Sequence, residues 1–150
     1  MIEKACIAPR IREGRAADAE ACAGILNDWI DRTDWMPRLH GHRDVVRHYR
    51  DVVFATRKIL VAGDKPEGFL ALDEDAQMVT ALYLANPGQG LGSALLDRAK
   101  EGRDRLSLWT FVANAPARRF YERTGFSEIR RTGGENEENL PDTLLQWVRV

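Results

Sequence analysis

The chain has 150 residues, 44% of them hydrophobic and 30% charged, with a formal net charge of −1. These are the proportions of one water-soluble globular domain, taken as residues 1–150, with a sizeable core. The balanced charge gives no basic character suited to nucleic acid, and no apolar run is long enough to span a bilayer, so neither partner is expected.

Cys6 and Cys22 are the only cysteines and show neither metal nor redox spacing. The opening stretch MIEKACIAPRIREGR lacks an apolar leader core, so reduced thiols, no metal site and a cytoplasmic location are expected. Ala5 to Arg12 alternates loosely and predicts a first strand, which Pro9 places at a sheet edge. Asp18 to Ile30 predicts a helix, because Ala21, Cys22, Ile25, Leu26 and Trp29 recur at helical spacing. Asp31 to His40 is polar but carries Trp35 and Met36, large apolar groups that either cap the core or line a pocket. Gly41 to Phe54 predicts a second helix with Val45, Val46, Tyr49, Val52 and Val53 inward.

Lys58 to Ala62, Glu67 to Leu72 and Gln77 to Leu84 read as strands joined by turns at Gly63 to Pro66 and Asp73 to Asp75, an antiparallel meander. A helix over Leu91 to Glu101, a strand over Arg105 to Ala113 and a short helix over Asn114 to Glu122 follow. Phe126 to Arg131 and Thr143 to Val150 are the last strands, separated by an acidic loop from Thr132 to Asp142. Helices crossing between strands after a meander predict a mixed α/β (α+β) sheet fold.

The stretch ALYLANPGQGLGSALLDRAK carries most of the chemistry. An apolar strand ends in Asn86-Pro87-Gly88-Gln89, and Gly90-Leu91-Gly92-Ser93 opens a helix. Glycines let backbone approach a ligand, and the first N–H groups of a helix lack internal partners and carry partial positive charge. The loop is therefore either a cradle for an anionic group or an ordinary tight strand-to-helix turn. It is neither the dinucleotide fingerprint, since Ser93 or Leu95 stands where a third glycine is needed, nor a nucleotide-triphosphate loop, since no Gly-Lys-Ser/Thr follows. A different phosphorylated ligand is implied.

The second element is Asn114-Ala-Pro-Ala-Arg-Arg-Phe-Tyr121-Glu-Arg-Thr-Gly125-Phe126. Asn114 suits an N-cap and Pro116 the first turn, and Tyr121 lies about two turns below Asn114 on the same side. The pair is either a polar site at a strand end or a cap above a core tyrosine.

Together the two elements resemble the GNAT family of N-acetyltransferases, from Glu67 to Val150, with Asn114, Ala117, Phe120, Tyr121, Gly125 and Phe126 at the family's positions. The resemblance implies one domain with a mixed, largely antiparallel sheet, splayed at the cofactor site and flanked by about four helices. It implies acetyl-coenzyme A as the cofactor: pyrophosphate on Gly88, Gln89, Gly90, Leu91, Gly92 and Ser93, and the pantetheine arm along Leu82, Tyr83 and Leu84. Asn114 would contact the cofactor, and Tyr121 would lie near its sulfur as the acid that protonates the leaving thiolate. Two registers match the family's loop: Gly90 and Gly92 as its small residues, which keeps SALLDRAK aligned, puts Pro87 at the Gln/Arg position and makes the loop about two residues shorter, or Gln89 at that position with Gly92 and Ala94 as the small residues. The strand RLSLWTFVA has no acidic residue, so a base from that strand is absent.

The implied activity is acetyl transfer to the amine of a small molecule or peptide, by direct attack in a ternary complex. An alkyl ammonium with a pKa of about 10.4 must first lose a proton. Asp73, Glu74, Glu137, Glu138, Asp142 and His40 are candidate bases. Trp35, Met36, His40 and Glu137 are candidate acceptor contacts. Asp28, Asp31 and Asp34 favour a cationic acceptor, whereas Arg38 and Arg43 favour one carrying a carboxylate. The alternative is a non-catalytic acyl-coenzyme A binding module, a sensor or partner subunit. Homodimers are common in the family.

Overall fold

The computed structural model of the chain describes residues 10–150. Cys6, Pro9 and the first part of the strand expected from Ala5 lie outside the described residues. The strands are β1 (Ile11–Glu13), β2 (Lys58–Ala62), β3 (Gly68–Asp73), β4 (Met78–Leu84), β5 (Arg105–Phe111), β6 (Ser127–Thr132) and β7 (Asp142–Val148). The helices are α1 (Ala19–Arg32), α2 (His42–His48) continuing through a π-helical turn (Tyr49–Val53) into α3 (Phe54–Thr56), then α4 (Leu91–Lys100) and α5 (Ala115–Arg123). Among the described residues, no helix is long and apolar enough to cross a membrane.

The strands form one mixed seven-stranded sheet in the order β1-β2-β3-β4-β5-β7-β6. Period-two alternation feeds two cores. Ile59, Val61, Phe69 and Ala71 face α1 and the α2 segment, where Cys22, Ile25, Val45 and Tyr49 meet them. Leu60, Ala62, Leu70 and Leu72 face the other side, where α4 brings Leu91, Leu95 and Leu96. β3, buried on both faces, is apolar along its length, as a central strand must be.

All pairings are antiparallel except β4 with β5, which is parallel and holds only at Met78↔Ser107 and Val79↔Leu108. The β3–β4 register shifts between Ala71 and Leu72, so Thr80 is an extra residue on β4. Such a bulge bends its strand. Beyond Val79, β4 leaves β5, and the sheet splays open on its helix-bearing ends. The splay expected from the resemblance is present, as are the antiparallel meander and the four helical bodies.

Several boundaries and faces differ from expectation. Ala21 is exposed on α1, whose buried face is Ala19, Cys22, Ala23 and Ile25. Val52, expected inward, is 44% exposed. The π-helical turn adds a residue per turn, which rotates Val52 off the buried face that Val45 and Tyr49 occupy. β7, last in the chain, inserts between β5 and β6. A buried ion pair was also not anticipated. Arg12 on β1 donates from both terminal nitrogens to Asp18, at 2.8 and 2.9 Å, and ties the sheet edge to the start of α1.

Candidate functional site

The splay leaves backbone groups without strand partners. Ala85 N–H donates to Glu67 C=O at 2.9 Å, which fixes the phase of the β3–β4 ladder. In an antiparallel ladder only alternate residues bond a given neighbour, so Tyr83 and Ala81 serve β3 while Leu82 and Leu84 direct N–H and C=O into the gap. On β5, Val112 N–H donates to Pro141 C=O at 2.9 Å, so by the same alternation Leu108 and Thr110 serve β7 and Trp109 and Phe111 face the gap. The gap is a cleft of about 540 Å³ whose lining includes Leu82, Leu84, Gly92, Ser93, Asn114 and Tyr121.

At one end of the cleft lies the glycine loop. Gly88 and Gly90 have φ of +91° and +78°, a left-handed conformation suited to glycine. Gly90 caps α4, and Ala94 N–H makes the first helical bond, to Gly90 C=O at 3.2 Å. The N–H groups of Leu91, Gly92 and Ser93 precede that bond and stay open, carrying the partial positive charge of a helix start. Loop side chains contribute little: Leu91 points into the core, and Gln89 is exposed away from the cleft lining. Gly88, Gly90, Gly92 and Ser93 do line it. Coenzyme A needs a narrow anion cradle beside a strand edge with free backbone groups, and this arrangement fits it.

At the other side, Asn114 caps α5 by accepting from Ala117 N–H at 3.2 Å while lining the cleft. Tyr121 is buried between Phe120 and Phe126, with ring centres 5.3 and 5.6 Å away, and lines the cleft too. Burial, with a smaller contribution from Tyr83, pushes its hydroxyl well above the ordinary tyrosine value. Burial also pushes Tyr83 up to about 12, and the Glu138 charge adds to the effect. Cys22 is fully buried and its thiol is pushed up to about 12 by that burial, so it is an inert core residue.

The face opposite α4 and α5 is aromatic. Trp35 meets Trp29 edge-on at 5.7 Å and Phe111 at 5.8 Å, and Trp29 meets Tyr83 at 5.3 Å. Trp35 thus packs behind Trp29 and Phe111, which line the cleft, and is not itself part of the lining. Met36 is half-buried, its N–H bonded to Thr33 C=O at 3.1 Å, and is not part of the cleft lining. His40 Nε2 contacts Glu137 Oε1, so two residues 97 positions apart join the loop before α2 to the loop after β6. Arg38 is taken up by the C-terminal part of α1 and by its own loop. It bonds Asp31 at 2.8 Å, the Asn27 side chain at 3.0 Å and the His40 carbonyl at 3.0 Å. Asp31 is held in turn by His42 at 2.7 Å, and these two partners keep its carboxyl below the usual range. Neither Arg38 nor Asp31 is thereby free for an acceptor.

Sequence reasoning missed Trp29, Arg32, Trp109, Phe111 and Phe120, all of which line the cleft. Trp109 and Phe111 had a signal: they alternate with the buried Leu106 and Leu108 on β5 and so share the opposite face. Arg32 had none. It reaches from the end of α1 to the carbonyls of Leu84 and Ala85, at 3.2 and 3.3 Å.

Residues 55–128 match the acetyltransferase (GNAT) domain. The chain is similar to the peptidyl-lysine N-acetyltransferase YiaC of Escherichia coli K12, with 27% identity over 93% of this chain and 97% of that protein. Its fold is similar to apo YjaB of Escherichia coli, with a TM-score of 0.77 and 23% identity over 96% of this chain and all of the other. It is also similar to yncA of Salmonella typhimurium, solved with its cofactor acetyl-CoA, with a TM-score of 0.69 and 21% identity over 95% and 94% of the two chains. The family match identifies residues 55–128 as an acetyltransferase (GNAT) domain, within a chain that has the fold these structures share.

Proposed function

We propose that this chain, acting as one domain, transfers the acetyl group of acetyl-coenzyme A to an amine by direct attack in a ternary complex. The observation that carries the reading is the splay of β4 from β5 beside the open N–H groups of Leu91, Gly92 and Ser93. An anion cradle and an unpaired strand edge together suit a pyrophosphate followed by an amide-containing arm. The relative YiaC, named for acetylating peptidyl-lysine, supports an amine as acceptor.

The thioester supplies an activated acyl carbon; the protein's residues hold it and manage protons. Open N–H groups at the start of α4 bind phosphate oxygens. Leu82 offers N–H and C=O to the arm and Leu84 its N–H, the Leu84 carbonyl already accepting from Arg32, and the two N–H groups suit an oxygen that gains charge during transfer. Asn114 borders the arm. Tyr121, its hydroxyl kept protonated by burial, donates a proton to the departing sulfur. The amine enters past Trp35 and Phe111 and loses its proton toward the acidic loop, where Glu138 bears on Tyr83. Cys22, buried and protonated, holds no acyl group.

The test is thiol release from acetyl-coenzyme A across a panel of amines. Amine-dependent release with matching N-acetyl product is expected. Saturable binding without release for any amine would make the chain an acyl-coenzyme A binding module instead.

A further inference from the structure

A second pocket, of about 470 Å³, opens on the face of β5 that carries Trp109 and Phe111, between that strand and the loop after β6. Trp109 and Phe111 line both it and the main cleft, so the two spaces share a wall. Its floor follows from register. Trp109 and Arg130 both pair with Leu144, and Phe111 and Thr132 both pair with Asp142, which puts these side chains on one sheet face. α1 and α2 do not cover that face, and Trp109 is 37% exposed there.

The charges in this pocket are not equivalent. Asp142 is buried and already engaged, accepting from Thr132 Oγ1 and from Asn136 Nδ2, the latter at 3.0 Å. Glu135 lines the same space and is exposed. Arg130 stands with its guanidinium 5.0 Å from the centre of the Trp109 ring. Among the described residues it has no carboxylate partner, whereas neighbouring Arg131 is paired with Glu128 at 2.7 Å. A guanidinium packed on an indole is held by its face, and its N–H groups remain free to grip a carboxylate in two places.

We propose that this pocket receives an acceptor that carries its own carboxylate, an amine of amino-acid type, with Arg130 as the specificity-determining residue. The carboxylate sits on Arg130, while Glu135 and Asp142 leave the pocket net negative and favour the ammonium end. The inference rests on the acetyltransferase reading. The transfer balances in the ordinary way: an N–C bond forms, the C–S bond breaks, one ammonium proton goes to the sulfur and one to solvent. The role foreseen for Arg38 as a carboxylate partner passes to Arg130, because Arg38 is already spent on Asp31 and Asn27.

The experiment compares matched pairs with acetyl-coenzyme A: phenylalanine with phenethylamine, leucine with isopentylamine, lysine with cadaverine, and a lysine-containing peptide amide. Thiol release gives kcat/KM for each. The acids are expected to exceed their decarboxylated twins by about tenfold or more, the scale of one charge-assisted hydrogen-bonded pair. In Arg130→Gln that ratio collapses toward one, and Arg130→Lys restores part of it. Because Arg130 is exposed, both variants should melt as the parent does. Equal rates within a pair, preference for the peptide amide, or a ratio untouched by Arg130→Gln would overturn the assignment while leaving acetyl transfer standing. Release with no amine at all would remove both.

Discussion

Gly92 on α4 lies against Phe120 on α5, so closely that a Cβ on Gly92 would stand 3.0 Å from Phe120 Cζ. Both residues line the cleft, so this contact sets its width at the phosphate end. Gly92→Ala forces the ring to give by a few tenths of an ångström, and Gly92→Val forces more. Weaker acetyl-coenzyme A binding with a small loss of melting temperature is expected for Gly92→Ala, read by calorimetry and by thermal melts. Unchanged affinity in both variants would detach Gly92 from the site.

Gly90 is constrained for a different reason. A Cβ there meets nothing within 4 Å, but φ is +78°. Gly90→Ala should therefore cost about 1–2 kcal/mol through backbone strain alone, and Gly90→Asn less, since Asn tolerates the left-handed region. Chemical denaturation of the three proteins checks the order. Equal stability of Gly90→Ala and the parent would contradict the left-handed cap.

The difference between these two glycines shows what the sequence could and could not reveal. Gly90 and Gly92 read as a helix-opening loop, because glycines after an apolar strand have few other uses. That Gly92 is required by Phe120, 28 positions later, depends on how α4 packs on α5, which no local spacing encodes. The meander, the four helical bodies and the cap at Asn114 were legible because each is a local pattern: alternation, helical recurrence, or one polar residue before a helix. The insertion of β7 beside β5, the outward turn of Val52 and the meeting of His40 with Glu137 were not. They arise from strand order, from a π-helical turn and from a long-range loop contact. The acceptor side suffered most. Trp35 was legible as an aromatic in a polar stretch, but the spending of Arg38 on Asn27 and Asp31 and the stacking of Arg130 on Trp109 depend on contacts between separate segments.

Tyr121 gives a kinetic prediction. Tyr121→Phe keeps the ring packed between Phe120 and Phe126 and removes only the hydroxyl. A loss of turnover of about 10²-fold or more, with acetyl-coenzyme A affinity unchanged, is expected of a missing general acid. Burial raises the hydroxyl pKa, so the donor stays loaded and this group alone causes no fall in kcat below about pH 10. Parental turnover in Tyr121→Phe would remove the residue from the chemistry.

Stability has its own pH signature at Arg12 and Asp18. The Asp18 carboxyl is held below the ordinary value, chiefly by the hydrogen-bonded Arg12 guanidinium and against the cost of burial. A depressed pKa in the folded state stabilises the fold above the unfolded value, about 3.9, and that contribution is lost as pH falls through the lower folded value. Melting temperature should therefore drop on acidification below about pH 4 more steeply in the parent than in Asp18→Asn, which starts lower at neutral pH. Parallel pH profiles would show that the pair contributes nothing.

The most direct test of the cleft is a titration of isotope-labelled protein with acetyl-coenzyme A, following backbone amide resonances. The account predicts saturable shifts centred on the N–H groups of Leu91, Gly92 and Ser93, joined by Leu82 and Leu84 on the free edge of β4. Saturable shifts confined to other surfaces, or no shifts at millimolar ligand, would contradict the cleft between β4 and β5 as the acetyl-coenzyme A site.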